Sequence, residues 1–281
     1  MIVDHLNFRD AIRYWTDLLL SDGIEVDAGH WQGVATKGRP DLVTRELTNV
    51  SFTCPVLDLT APILPKSPEA MVAQLRDTIK PNLPWADEHF AERVSRVPSN
   101  PGEAYKSWPW WRGQNDKTME EGKFSHTYQE RFWPKEASEG HREWGTNPLH
   151  GVRYDYGDLD DLVDQLARWP LGRQAYLPIF FPEDTGNVHG GRLPCTLGYH
   201  FLVRERQINM WYFIRSCDAV RHFRDDLYLA ARLLVWVLDE LQTNHHDVTA
   251  NISWRDIRPG YFTFVCPSLH YHRGDEHHIK N

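Results

Sequence analysis

A cysteine follows a proline in Leu193-Pro194-Cys195-Thr196, and twenty residues on comes Arg215-Ser216-Cys217-Asp218. Phe223-Arg224-Asp225-Asp226 then opens a long apolar run. These residue types suit nucleotide chemistry. A thiolate is a strong nucleophile and leaves readily, so Cys195 can add to a ring carbon and depart again. Arg215, a buried-looking arginine expected on the following strand, can favour the thiolate if the strands place it nearby. Its planar guanidinium also suits bidentate bonding to phosphate oxygens. Asp226 can exchange a proton with a ring nitrogen and accept a bond from an amino group. Each residue also has a plain structural reading. Free cysteine is often a small buried hydrophobe, and Arg215 can be a solvated charge. Asp225 or Asp226 can cap the helix that follows, with Asp225 nearer the cap. Cys54, Cys217 and Cys266 lack such surroundings and read as structural.

These groups need elements to hold them. Phe8, Ile12, Trp15, Leu18 and Leu19 recur at helical spacing over residues 8–20. Residues 42–53 alternate like a strand, and a helical segment, PEAMVAQLRDTI, lies between Pro62 and Pro84. Residues 157–170 read as a helix with a Gly-Asp start and a Pro stop. Leu177–Phe181 reads as a buried strand, and Tyr199–Val203 with Ile208–Ile214 as paired strands around a turn at 204–207. Leu227–Leu241 gives the strongest helical pattern, with Leu227, Ala230, Leu234, Val237 and Leu241 on one face. Residues 95–150, rich in Trp, Pro, Gly and charge, read as long functional loops. No repeat or clean linker is visible, so residues 1–281 read as one α+β domain.

Composition narrows the function class. The chain has 281 residues, 41% of them apolar with twelve tryptophans, enough for a sizeable core. A net charge of −8 argues against a general nucleic-acid binder but permits an anionic small molecule held by local arginines. No apolar run approaches a membrane span, and the N-terminus has no signal-peptide pattern. Four cysteines without a CxxC pair suggest reduced thiols and a cytoplasmic location. HYHRGDEHH is histidine-rich, but no cysteine or repeated ligand pattern accompanies it, so no metal is expected.

The segment PCTLGYHFLVRERQINMWYFIRSCDAVRHFRDDLYLAARLLVWVLDE and the later PSLHYH (Pro267–His272) resemble the thymidylate synthase superfamily. Weaker matches lie at SWPWW, HTYQERFW and WPLGR, and the N-terminal third matches poorly. Within that superfamily the chain looks most like the phage deoxycytidylate (dCMP) 5-hydroxymethylases. The resemblance implies a mixed sheet packed with helices and a sheet-to-sheet homodimer. It implies transfer of a one-carbon unit from 5,10-methylenetetrahydrofolate to C5 of dCMP, then hydration to 5-hydroxymethyl-dCMP, through a Cys195–C6 adduct. A CMP hydroxymethylase, a dCMP methylase, a dUMP hydroxymethylase and a catalytically silent nucleotide-binding relative are the alternatives.

The same resemblance suggests roles for the site residues. Cys195 is the nucleophile, Tyr128 helps remove the C5 proton, and Glu92 is the general acid/base. Arg215 and Ser216 bind phosphate, with Arg173 reaching the partner subunit's phosphate. Arg173-Gln174 stands where two arginines are usual, with Lys37 and Arg39 as possible substitutes. His270 lies near the ribose 3′-hydroxyl, Asp218 meets the pterin, and Trp108 and Trp111 can stack on it. His200 replaces a usual glutamine near the base, His272 a tyrosine, and His222 a glycine. Asp226 stands where thymidylate synthases have asparagine. An amide donates to uracil O4 and accepts from N3–H, whereas a carboxylic acid fits the reversed pattern of cytosine.

Overall fold

Alternation of apolar and polar residues builds the centre of the molecule. Along Thr196–Arg204 and Gln207–Ile214, Tyr199, Phe201, Val203, Ile208, Met210, Tyr212 and Ile214 are buried on one face while their neighbours are half-exposed. The two strands form a hairpin whose turn residues Glu205 and Arg206 have φ of 50° and 60°. Two consecutive left-handed residues match the right-handed twist of the flanking strands. The hairpin predicted around 204–207 is therefore present.

The computed structural model describes residues 2–31, 34–111, 119–137, 157–187, 192–245 and 252–279. The first elements are β1 (Val3–Asp4), α1 (Phe8–Asp22), β2 (Ile24–Val26), β3 (His30–Trp31), β4 (Val34–Ala35) and β5 (Thr44–Pro55). Then come α2 (Pro68–Ile79), α3 (Trp85–Arg93), β6 (Met119–Glu120), β7 (Lys123–Phe124), α4 (Tyr128–Phe132) and α5 (Pro134–Ala137). The remainder are α6 (Leu159–Arg168), β8 (Tyr176–Pro178), β9 (Thr196–Arg204), β10 (Gln207–Ile214), β11 (Cys217–Asp218), α7 (Phe223–Asn244), β12 (Arg258–His272) and α8 (Glu276–Ile279).

One mixed sheet runs β1-β5-β12-β10-β9-β8, with β2 added beside β5 and β11 beside β12. β1–β5, β10–β12 and β11–β12 are parallel pairs, and the others are antiparallel. The fold is thus a mixed open sheet packed against helices, which agrees with the α+β expectation. Helices cover one face. Phe52 of β5 meets Trp15 of α1, Phe223 of α7 and Phe264 of β12 at ring centroid distances of 6.4, 6.5 and 5.2 Å. Each such fully buried ring contributes roughly 1.5–3 kcal/mol, so this junction anchors α7, whose first turn carries Asp225 and Asp226. On the opposite face Leu202, Trp211, Phe213 and Val265 remain half-exposed.

Two expectations change. The strand predicted over Leu177–Phe181 ends at Pro178, and beyond it the amides of Ile179 and Phe180 both converge on the Leu197 carbonyl, at 3.0 and 3.2 Å, which breaks the regular ladder. The described part of the predicted loop region 95–150 contains ordered pieces: the β6–β7 hairpin, α5, and α4 with a Thr127/Glu130 capping box. β12, fifteen residues long, is the sheet's longest strand, of which sequence similarity marked only the end.

Candidate active site

The β9–β10 hairpin brings Cys195 and Arg215 together. Ile214 pairs with Thr196, so the residues just before β9 and just after β10 share one end of the sheet. The Arg215 amide donates to the Cys195 carbonyl at 2.8 Å. Its side chain folds back over the cysteine loop, with Nε donating to Pro194 O at 3.0 Å and Nη2 to Leu193 O at 3.1 Å. Contrary to the expected burial, Arg215 is exposed, because β10 ends at Ile214 and releases it from the sheet. The remaining guanidinium N–H groups can meet an anion in solvent. Ser216 Oγ lies 3.8 Å from Cys195 Sγ and 3.5 Å from Arg215 Nη1.

Cys195 is half-exposed, whereas Cys54, Cys217 and Cys266 are buried. Burial holds the Cys54 and Cys217 thiols well above their ordinary value and pushes Cys266 up to about 12. Those three remain protonated at neutral pH, in keeping with structural roles.

The two carboxylates of α7 have different surroundings. The helix begins after His222 without a side-chain cap, so the capping role suggested for Asp225 is not used. Asp225, fully buried, instead accepts from the Asn82 amide and from Asn82 Nδ2, both at 2.7 Å. Burial raises its pKa to about 6 against these bonds. Asp226 is half-buried and accepts from Cys217 Sγ at 3.5 Å. Burial drives its pKa up to about 7, Arg93 opposes this, and Asp225 adds to it. Asp226 therefore carries a shared proton near neutrality, as an acid/base group should.

The asparagine clamp has a measurable consequence. Asn82→Ala removes the Nδ2 donor, leaves the buried Asp225 carboxylate with only the backbone amide of residue 82, and should lower unfolding stability by about 1–3 kcal/mol. The loss should be larger at pH 8 than at pH 5, where Asp225 is protonated. Urea unfolding at both pH values checks this, and an equal effect at both would contradict the assignment of charge to Asp225.

Tyr128 enters from α4. Its hydroxyl accepts from Thr196 Oγ1 at 3.2 Å, and that oxygen also bonds the Tyr212 hydroxyl at 2.9 Å. Burial raises the Tyr128 pKa, and negative charge on Cys195 is the next influence; the bond to Thr196 ties the phenol to the residue that follows the thiol. Arg93, from α3, lies 4.0 Å from the centre of the Tyr128 ring. Sequence reading did not single out Arg93. Its neighbour Glu92 faces elsewhere: Oε1 accepts from the amides of Glu103 and Ala104 at 2.6 and 2.8 Å, and Oε2 from Gln129 Nε2 at 2.7 Å. Gly102 has φ of 76°, and a Cβ there would come within 2.7 Å of the Glu92 carboxylate. Glu92 thus organises the 102–104 turn, and its acceptors are taken up by backbone and Gln129 rather than turned toward Cys195.

A second group stands where β11 joins β12. Asp218 pairs with His270, and one ligand atom from each of Asp218, His270 and His272 lies within 4.8 Å of the others. Asp218 Oδ1 accepts from the amides of Val220 and Arg221 at 2.9 and 3.0 Å, and Arg221 Nε stands 3.8 Å from Oδ2. Burial lowers the His270 pKa, leaving a neutral ring that can donate and accept. His272 is buried, with Nδ1 donating to Leu42 O at 3.2 Å. The types could ligate an ion or hydrogen-bond to a polar ligand, and Arg221 pairs mainly with Asp275, at 2.6 Å.

The aromatic candidates separate. Trp108 stacks on His222 at 5.0 Å with an interplanar angle of 14°, and its buried indole N–H has no partner among the described residues. Burial lowers the His222 pKa to about 4, so it stacks as a neutral ring. Trp111 packs edge-on against Tyr105 at 4.7 Å and Phe124 at 6.1 Å, in a separate aromatic group. His200 also lies apart: its Nε2 donates to the Arg173 carbonyl at 3.1 Å, on the half-exposed sheet face near Trp211 and Tyr176. A role for His200 at the base does not fit this placement, because residues alternate along β9 and Tyr199 and Phe201 take the inner face. Arg173 is exposed at the same edge. Arg39 is exposed and bonds Asp41 through Nε and Nη2 at 3.1 and 2.8 Å, and Lys37 is exposed.

Compared with known proteins, the chain matches no family model and no curated protein. Among the described residues no helix is long and apolar enough to cross a membrane.

Proposed function

We propose that the protein transfers a one-carbon unit to C5 of a cytosine nucleotide, dCMP, and hydrates it to the 5-hydroxymethyl product. The observation that carries this reading is the grouping of a half-exposed thiol, Cys195, with Arg215 and Ser216 beside it, Tyr128 joined to the next residue, Thr196, and Asp226 bonded to Cys217, which follows Ser216 in the chain. Similarity of the same residues to the thymidylate synthase superfamily supports it. 5,10-Methylenetetrahydrofolate would supply the methylene. The orphan indole N–H of Trp108, its flat stack on His222 and the Asp218 carboxylate fit a planar ring with N–H and carbonyl groups.

In this mechanism Cys195 adds to C6 while Asp226 gives or shares a proton at N3, so the electron pair is available at C5 for bonding to the methylene. Tyr128, as its phenolate, then accepts the C5 proton, and the released pair forms the exocyclic double bond as tetrahydrofolate leaves. Water adds its oxygen to that carbon, and its released proton and the C5 proton end on the two tetrahydrofolate nitrogens. N3 returns its proton to Asp226 as the C6–S bond breaks and Cys195 departs. Arg215 and Ser216 hold the phosphate beside the thiol. Packing of two copies through the half-exposed face that carries Trp211 and Phe213 would let Arg173, at its edge, reach the partner's phosphate.

The test is product mass after incubating the protein with methylenetetrahydrofolate and dCMP, CMP, dUMP or UMP. A gain of CH2O on dCMP is expected. A gain of CH2 identifies a methylase, turnover of CMP or a uracil nucleotide reassigns the substrate, and no product from any nucleotide overturns the reading.

A further inference from the structure

Arg93 is 3% exposed, yet it forms no ion pair with a carboxylate among the described residues. Its Nε has no hydrogen-bond partner there. Nη2 donates to His89 Nε2 at 3.1 Å. Guanidinium can only donate, so His89 must accept at Nε2 and carry its proton on Nδ1. His89 in turn stacks on Trp85 at 5.0 Å, which fixes the ring. The guanidinium carbon then rests 4.0 Å over the Tyr128 ring.

A buried cation without a fixed anion is expensive to maintain. The surroundings of Arg93 contain groups that can become anionic and that meet at the thiol. Tyr128, Tyr199, Asp225 and Asp226 all have their ionised forms favoured by Arg93. Tyr128 is the one whose ring it covers. A cation against a phenol gains more when the ring oxygen becomes negative than when the phenol is neutral.

We propose that Arg93 is a positioning residue for proton removal from C5: held by His89 against the Tyr128 ring, its guanidinium stabilises the Tyr128 phenolate. This rests on the one-carbon transfer proposed above for the reaction, but not for the Arg93–Tyr128 interaction itself. Tyr128 enters this step as the phenolate, its own proton having passed to solvent; the C5–H bond then breaks and a Tyr128 O–H bond forms, while the C–H electron pair enters the exocyclic double bond. The leaving tetrahydrofolate nitrogen takes the pair from its own C–N bond. Other groups facing Tyr128 are His89 from α3, Cys195 and Thr196 at the start of β9, Asp226 from α7, and His126 beside it in the chain. Cys195 and Asp226, when charged, oppose the phenolate, and Arg93 is the cation that counters them.

The test uses the full chain with 3,5-difluorotyrosine in place of Tyr128, which brings phenol titration into a range where folding is retained. Ultraviolet titration of this protein is compared with Arg93→Met and Arg93→Lys forms, with thermal melting as the folding control. Arg93→Met should weaken phenol ionisation at least tenfold, and Arg93→Lys should restore much of it. Release of tritium from C5 of dCMP by the unfluorinated Arg93→Met protein should fall at least tenfold with KM little changed. An unchanged phenol titration in the folded Arg93→Met protein, or in the Arg93→Lys protein if Met prevents folding and Lys abolishes tritium release, overturns the proposal. Absence of tritium release from the unsubstituted protein with every nucleotide defeats the reaction instead, and the phenol titration still decides the role of Arg93.

Discussion

Cys195→Ser is expected to lower product formation by about three orders of magnitude or more, since a serine hydroxyl lacks the nucleophilicity of a thiolate. Binding of the nucleotide should change only a few-fold, because Arg215 and Ser216 remain in place on the cysteine loop. Stability should stay within about 0.5 kcal/mol, as is usual for a substitution at a half-exposed position. The buried thiols should respond oppositely. Cys54→Ser and Cys266→Ser place a hydroxyl in the core and should destabilise the fold by about 1–3 kcal/mol, while leaving the turnover of the folded fraction near normal. A nucleotide with fluorine at C5 gives a direct chemical check. The C5 fluorine cannot leave as a proton does, so the adduct should accumulate and add its mass to the peptide containing Cys195. Equal labelling of Cys217 or Cys266, or retained turnover in Cys195→Ser, would remove Cys195 from the mechanism.

The parts legible in the sequence are those set by local pattern. Period-two alternation marked β9 and β10, and the two-residue turn fixed their register. Helical periodicity marked α7, although its start lies four residues before Leu227, at Phe223, because the first turn carries the polar Arg224, Asp225 and Asp226. Long-range placement was less legible. Glu92 and Arg93 are adjacent charges on one short helix, and nothing local says that the arginine is the one turned toward Tyr128. That choice depends on the 102–104 turn, whose amides take up the Glu92 carboxylate. His222 likewise read as a departure from a glycine, and only the fold reveals Trp108 stacked on it. The division of labour between Asp225 and Asp226 follows from Asn82, 143 positions away in sequence from Asp225.

That division makes Asp226→Asn the sharpest test of base choice. An amide cannot share its proton with N3 of cytosine, but it can accept from N3–H of uracil and donate to O4. The variant should lose dCMP turnover by about two orders of magnitude or more, and its preference should move toward dUMP. The pH profile gives an independent reading. Asp226 titrates near 7, so kcat/KM for dCMP in the unsubstituted protein should fall above that pH as the proton needed at N3 is lost. This limb should vanish in the asparagine variant. Stability should move the other way. The folded protein binds more protons than the unfolded chain between about 3.8, the ordinary value for Asp, and about 7, so stability falls as pH rises through that window. Asp226→Asn removes the cost of ionising a buried carboxyl and should stabilise the protein at pH 8 by on the order of 1–3 kcal/mol, with little gain at pH 4. Burial that destabilises the carboxylate is also what keeps its proton available at neutral pH. A variant that gains stability at pH 8 while losing dCMP would show both consequences of the same burial, and one that keeps dCMP turnover would rule out Asp226 as the reader of the base.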